Sequence, residues 1–214
     1  EMGYPGAVKT VARYDWSEEN ELRLTLTAES DAPTVINLTN HAYFNLNGEG
    51  NGDILGHHLR LNASEYLPTD QTQIPLGESQ PVAGTPMDFV NAKPIGQDIK
   101  ADFEPLKIGK GYDHCWVIDG AEPGQLQECA ELYAPESGRV VTMFTTQPGV
   151  QVYTGNWLSG CPAGKNGHTY EDYTGVAIEC QNYPDAPNKA DYPNCVLRPG
   201  EVYEQAIIFA FSVR

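Results

Sequence analysis

The chain has no apolar run that approaches the roughly 18 residues needed to cross a bilayer; its longest such stretch is Ala206–Phe211, AIIFAF. A membrane-spanning helix is therefore not expected, and the chain reads as a soluble protein. Basic residues are scarce: 13 Lys and Arg stand against 29 Asp and Glu, a formal charge of −16. That balance repels phosphate backbones and anionic lipid, so neither nucleic acid nor a membrane surface is an expected partner. Cysteines are few and widely spaced. Cys115, Cys129, Cys161, Cys180 and Cys195 are odd in number and contain no CxxC pair. A disulfide framework or a zinc site is not expected, and isolated thiols favour a reducing compartment, which points to the cytoplasm. Also missing are G-x-S-x-G, the P-loop, G-x-G-x-x-G and H-E-x-x-H. Cofactor-dependent and metal-dependent chemistry is thus left without a foothold, and the expected cofactor is none. The opening EMGYPGAVKT has neither a basic n-region nor an apolar h-region and begins on Glu1, which reads as a processed, clipped or truncated chain.

What is present is strand signal and turn signal. In Glu21–Ser30, ELRLTLTAES, Leu22, Leu24 and Leu26 alternate with Arg23, Thr25 and Thr27, the period-2 pattern of a strand with one buried face. HHLRLNA, GRVVTMFTTQ, GVQVYTGN, GVAIECQ and VYEQAIIFAFSV read as further strands, separated by turn formers such as NGEGNGD, APESG and CPAGKNG. With 21 Gly and 16 Pro spread along 214 residues and no repeat or composition shift, the expectation is one all-β domain over 1–214, an antiparallel sandwich or barrel. A short helical turn is expected near Ile95–Ile99. Two long segments, 69–99 and 166–175, do not resemble strands and are expected to wall a cleft.

Four places carry residues suited to chemistry. NLTNHAYFNL, residues 37–46, reads as a strand with His41 at its middle, flanked by Asn40 and Tyr43; keeping amides beside aromatic residues gives up strand propensity for polar groups. In GVAIECQ, Glu179 lies within an apolar strand, and a carboxyl buried in a cleft would have a raised pKa suited to a base near neutral pH. GYDHCWVID sets Asp113 and His114 between a Gly-led turn and a strand. TTQPGVQVYTGNWL brings Gln151, Tyr153, Asn156 and Trp157 close together, and amides with aromatic rings are what a sugar site uses. The adjacent His57 and His58 would point to opposite strand faces, a weak metal pair.

Seven blocks in order, NLTNHAYFNLNG, EYLPTDQTQIPLG, VAGTPMDF, GYDHCWVID, TTQPGVQVYTGNWL, GVAIECQNYPDAPN and LRPGEVYEQAIIF, resemble the aldose 1-epimerases, also called galactose mutarotases. The resemblance covers essentially the whole chain. It implies a large antiparallel β-sandwich that interconverts α and β anomers of aldohexoses without metal or organic cofactor. It further implies that Glu179 is the general base and His41 the general acid, with Asp113 and Gln151 binding sugar hydroxyls and Asn40 and Tyr43 beside them. It also implies that the chain matches the C-terminal portion of the family. The N-terminal third or more, which supplies another histidine in a His-Gly-Gly context and an Asn-Arg pair, has no counterpart here. A chain of this extent is expected to be weakly active and to associate with itself or with a complementing N-terminal fragment through exposed sheet edges. The alternatives are a non-catalytic sugar-binding or sugar-sensing protein of the same fold, and an epimerase-like protein acting on hexose phosphates.

Overall fold

The computed structural model describes residues 3–214. Its strands, in chain order, are β1 (Val8–Trp16), β2 (Glu21–Ser30), β3 (Thr34–Val35), β4 (Tyr43–Phe44), β5 (His58–Leu61), β6 (Glu65–Leu67), β7 (Gln80–Pro81), β8 (Lys93–Pro94), β9 (Asp113–Val117), β10 (Gln127–Tyr133), β11 (Arg139–Thr145), β12 (Gly149–Tyr153), β13 (Val176–Gln181), β14 (Val196–Leu197) and β15 (Tyr203–Val213). One helix, α1 (Glu104–Gly109), and three short 3-10 turns complete the regular structure among the described residues. The turn at Ile95–Gln97 falls where a helical turn was expected. No helix among the described residues is long and apolar enough to cross a membrane.

The strands form two main antiparallel sheets. One runs β1-β2-β15-β11-β10-β5-β8 and the other β4-β13-β12-β9-β6-β7, with β14-β3 as a small pair. Alternation decides which face of each strand meets the other sheet. Leu24 and Leu26 of β2, Leu59 and Leu61 of β5, and Val141 and Met143 of β11 point inward. From the six-stranded sheet Trp116, Val150, Val152, Val176, Ile178 and Cys180 meet them. Each large side chain buried there stabilises the fold by about 1.5–3 kcal/mol.

The long segment 69–99 divides into two parts, which corrects its reading as cleft wall throughout. Met87 and Phe89 are fully buried. Met87 O accepts a hydrogen bond from the Trp116 indole at 3.0 Å, and Pro86 O accepts one from the Tyr112 hydroxyl at 3.0 Å. This half of the segment plugs one end of the core. The other half stays at the surface and reaches the site described below.

β1 differs from every other long strand. All nine of its residues pair with β2, yet Val8, Val11, Tyr14 and Trp16 are exposed and no residue of the strand is buried. It ends the seven-stranded sheet.

Candidate active site

The six-stranded sheet has a second face. β13 alternates Val176, Ile178 and Cys180 inward, so Ala177 and Glu179 point the other way. β12 turns Val150 and Val152 inward and Gln151 and Tyr153 outward, and β9 places His114 and Trp116 opposite Asp113 and Cys115. Register aligns these outward residues in rows. Glu179 pairs with Gln151 and Gln151 with Cys115; Tyr153 pairs with both Ala177 and Asp113. Three strands distant in sequence thereby present Glu179, Gln151 and Asp113 on one surface.

Asp113 is the centre of a hydrogen-bonded cluster. Gln151 Nε2 donates to its Oδ1 at 2.8 Å and Gln73 Nε2 to its Oδ2 at 3.3 Å. The Gln151 carbonyl, Oε1, is buried and has no hydrogen-bond partner among the described residues. A buried acceptor in that condition carries a desolvation cost that a ligand hydroxyl would relieve.

Glu179 is 8% exposed. Burial pushes its carboxyl above the usual carboxylate range, the Asp113 charge acts in the same direction, and His41 opposes both. His41 Nε2 lies 3.4 Å from Glu179 Oε1. The imidazole ring centre is 5.0 Å from that of Tyr43 and 6.2 Å from that of Tyr153, and about half of the side chain remains open to solvent.

His41 is not in a strand, contrary to the sequence expectation. Residues 36–42 are irregular, and β4 begins only at Tyr43. Side-chain bonds replace the missing ladder. Asn37 and Asn182 exchange bonds: the Asn37 amide donates to Asn182 O at 3.0 Å and its carbonyl accepts from Asn182 N at 2.9 Å. Thr39 Oγ1 donates to Cys180 O at 2.9 Å, and the Gln205 amide donates to Leu38 O. The segment is thus fastened to β13 and β15 on either side of Leu38. The Asn37-Leu-Thr39 triplet, which matches a glycosylation acceptor pattern, serves here as a structural clasp.

The remaining residues singled out in the sequence fall in several places. Tyr43 joins the cluster through its ring. Asn40 does so less directly: its Oδ1 accepts from Ala42 N at 3.0 Å and its Nδ2 donates to Tyr14 of β1 at 3.4 Å. His114 faces the core, and its Nδ1 accepts from Asp113 N at 3.0 Å. Asn156 is wholly buried, its amide donating to Gly109 O and Tyr112 O, so it braces the turn before β9 instead of lining the site. Gly111 makes that brace achievable, because its φ of 142° and a would-be Cβ only 2.5 Å from Asn156 Oδ1 both exclude a side chain. His57 is a core residue whose Nε2 accepts from Leu46 N at 2.9 Å, and no group of three or more metal-ligating side chains occurs among the described residues. Gln73 was missed by the sequence reading, although the segment that carries it was expected to form a wall.

A carboxylate and an imidazole in contact, beside an amide–carboxylate pair and two tyrosines, can remove a proton from one oxygen of a bound polyol and supply one to another. The family model described as aldose 1-epimerase matches residues 1–210. The galactose mutarotase of Homo sapiens is 41% identical over 213 residues, covering 100% of this chain and 60% of that protein. The aldose 1-epimerase of Escherichia coli K12 is 36% identical over 213 residues, covering 99% of this chain and 60% of its own length. Among solved structures, the GalM/aldose epimerase homologue from C. elegans superposes with a TM-score of 0.86 at 31% identity, covering 99% of this chain and 62% of that one. The galactose 1-epimerase from Lactobacillus acidophilus gives 0.83 at 30% identity, covering 98% and 58%. The chain spans about 60% of the length of the curated relatives it matches. On the family match and these identities, the chain belongs to the aldose 1-epimerase family.

Proposed function

We propose that the protein interconverts the α and β anomers of an aldohexose such as galactose or glucose, with Glu179 and His41 as the proton-transfer pair. The observation that carries this reading is the 3.4 Å approach of His41 Nε2 to the buried Glu179 carboxylate. Glu179 takes the proton of the C1 hydroxyl. His41 delivers a proton to the ring oxygen as the C1–O5 bond breaks, leaving an open-chain aldehyde. Rotation about C1–C2 presents the other carbonyl face, and reclosure reverses both transfers. Asp113 and Gln151 hold hydroxyls, their charge and free acceptor matching a polyol.

A base with a raised pKa suits this reaction, because the sugar hydroxyl is a weak acid and a more basic carboxylate narrows the gap. The test is polarimetry of α-galactose and α-glucose with the full-length protein and its Glu179→Gln and His41→Asn variants. A wild-type rate above buffer that falls in both variants while sugar binding persists supports the reading. A wild-type rate equal to buffer overturns it and leaves a sugar-binding protein.

A further inference from the structure

We propose that Gln73 is a positioning residue of the candidate site: from the tip of the connection between β6 and β7 it joins Gln151 in clamping the Asp113 carboxylate, so that Asp113 meets sugar hydroxyls in one fixed orientation. The proposal rests on the reading of Asp113 as a hydroxyl-binding residue given above. It adds to that site a side chain that acts through Asp113.

The clamp is the first argument. Each oxygen of Asp113 receives one amide, Oδ1 from Gln151 at 2.8 Å and Oδ2 from Gln73 at 3.3 Å. The last torsion of an aspartate side chain is broad and sets no plane of its own. A donor on a single oxygen would leave the group free to turn about the other, whereas donors on both fix its plane. A carboxylate offers about four acceptor positions, so one on each oxygen is left for a ligand hydroxyl.

The backbone that delivers Gln73 is the second. Its φ of 64° lies in the left-handed region, which glycine and asparagine enter far more readily than glutamine. The turn does not call for glutamine. Asp70 Oδ1 accepts from Thr72 N and Thr72 Oγ1, both at 2.7 Å, and from Ile74 N at 3.2 Å. Gln73 contributes only its backbone to this turn, its N–H donating to Asp70 O at 3.0 Å. Glycine would serve the same bonds without strain. A strained position that nonetheless carries a long amide, with that amide on a carboxylate of the site, points to a role in the site.

Anchoring is the third. Asp70 N donates to Ile74 O at 2.9 Å and Leu76 N to Pro68 O at 2.8 Å, which closes the neck of the tip. Pro68 and Pro75 are buried beneath it. Across the tip, Asp70, Gln71, Thr72 and Ile74 are exposed and Gln73 alone is half-buried. The tip is thus a short, closed support that presents one side chain to Asp113.

The test is polarimetry of galactose and glucose with the full-length protein, in wild type, Gln73→Leu and Gln73→Gly, with Gln71→Leu as the control at the exposed tip and thermal melts alongside. Glycine removes the side chain while relaxing the backbone, so it separates positioning from turn formation. Loss of a hydrogen bond to a charged group predicts KM raised about tenfold in both Gln73 variants, with kcat within about twofold of wild type. The glycine variant should melt no lower than the leucine one, and Gln71→Leu should leave KM unchanged. A Gln73→Gly KM within about twofold of wild type, a loss confined to kcat, or an equal rise in KM for Gln71→Leu would each overturn the proposal. If wild type shows no rate above buffer, the catalytic reading falls and calorimetry with galactose and glucose decides. Affinity about tenfold weaker in Gln73→Gly then upholds the role of Gln73, and equal affinity, or no binding by wild type, rejects it.

Discussion

Gln151 stands directly across the ladder from Glu179, and its amide holds Asp113 in place at 2.8 Å. One residue of β12 therefore bridges the two carboxylates of the candidate site. This arrangement, with His41 over Glu179, underlies the predictions that follow.

Glu179→Gln and His41→Asn should each lower the mutarotation rate by about 10²–10⁴, the usual contribution of a positioned acid or base. Gln151→Ala should act mainly on KM, because it removes a hydroxyl contact and not a proton carrier. The rate should also fall on acidification through a pKa above the usual glutamate value, since burial and Asp113 both favour the protonated carboxyl. A pH–rate profile of kcat/KM checks this; an acid limb at the ordinary carboxylate value would reject Glu179 as the base.

Stability should move in the opposite direction. A carboxyl whose folded pKa is raised contributes most when protonated, below its unfolded value, and that contribution is lost as pH rises through the folded value. Glu179→Gln removes the buried charge at pH 7 while keeping the shape, so its Tm should equal or exceed that of wild type there. At pH 4 the two should converge. Thermal melts at the two pH values decide the matter, and a lower Tm for the variant at pH 7 would contradict it.

Acid should unfold the chain through two histidines outside the site. Burial lowers both His57 and His114 to about 4 from the ordinary 6.5. Each is about 1% exposed. The neutral ring accepts a backbone N–H in both cases, Leu46 N for His57 and Asp113 N for His114. Groups depressed in this way contribute stability above pH 6.5 that is lost as pH falls toward 4, on the order of 3 kcal/mol per histidine. Stability measured by urea unfolding at pH 7, 5.5 and 4.5 should decline accordingly, and His57→Gln should flatten the decline.

Thiol reactivity should separate one cysteine from four. Cys161 is exposed, whereas Cys115, Cys129, Cys180 and Cys195 are buried. Burial raises the Cys115 thiol, and the contact with Cys180 Sγ at 3.6 Å, followed by burial, raises the Cys129 thiol between the two sheets. A native protein should titrate one equivalent of an aromatic disulfide reagent quickly and the remainder only in denaturant. Fast reaction of a second thiol would mean that the sheets open.

The strands with clear alternation, such as β2 and β12, were legible from sequence, because burial of one face writes period 2 into the chain. β1 was not, since none of its residues is buried and burial is what writes the pattern. α1 is too short, six residues with a proline at its start, to show helical periodicity. His41 was found for its type and misplaced in structure. Asn37 and Thr39 spend their side chains on fastening the irregular segment to β13 and the residue after it, a use that local strand propensity does not reveal. Gln73 reaches Asp113 across 40 residues from a surface connection without periodicity, so local pattern gave no reason to choose it.

The two-faced sheet has a consequence for how this protein can change over generations. In β12 and β13 the core residues and the residues on the candidate-site face interleave one by one. A single-residue insertion or deletion inside either strand would swap the sets, driving Gln151 or Glu179 into hydrocarbon and turning Val150 or Ile178 toward solvent. Indels must therefore be confined to the loops. The loops can change in length, while the face that carries Gln151 and Glu179 can be altered only by point substitution.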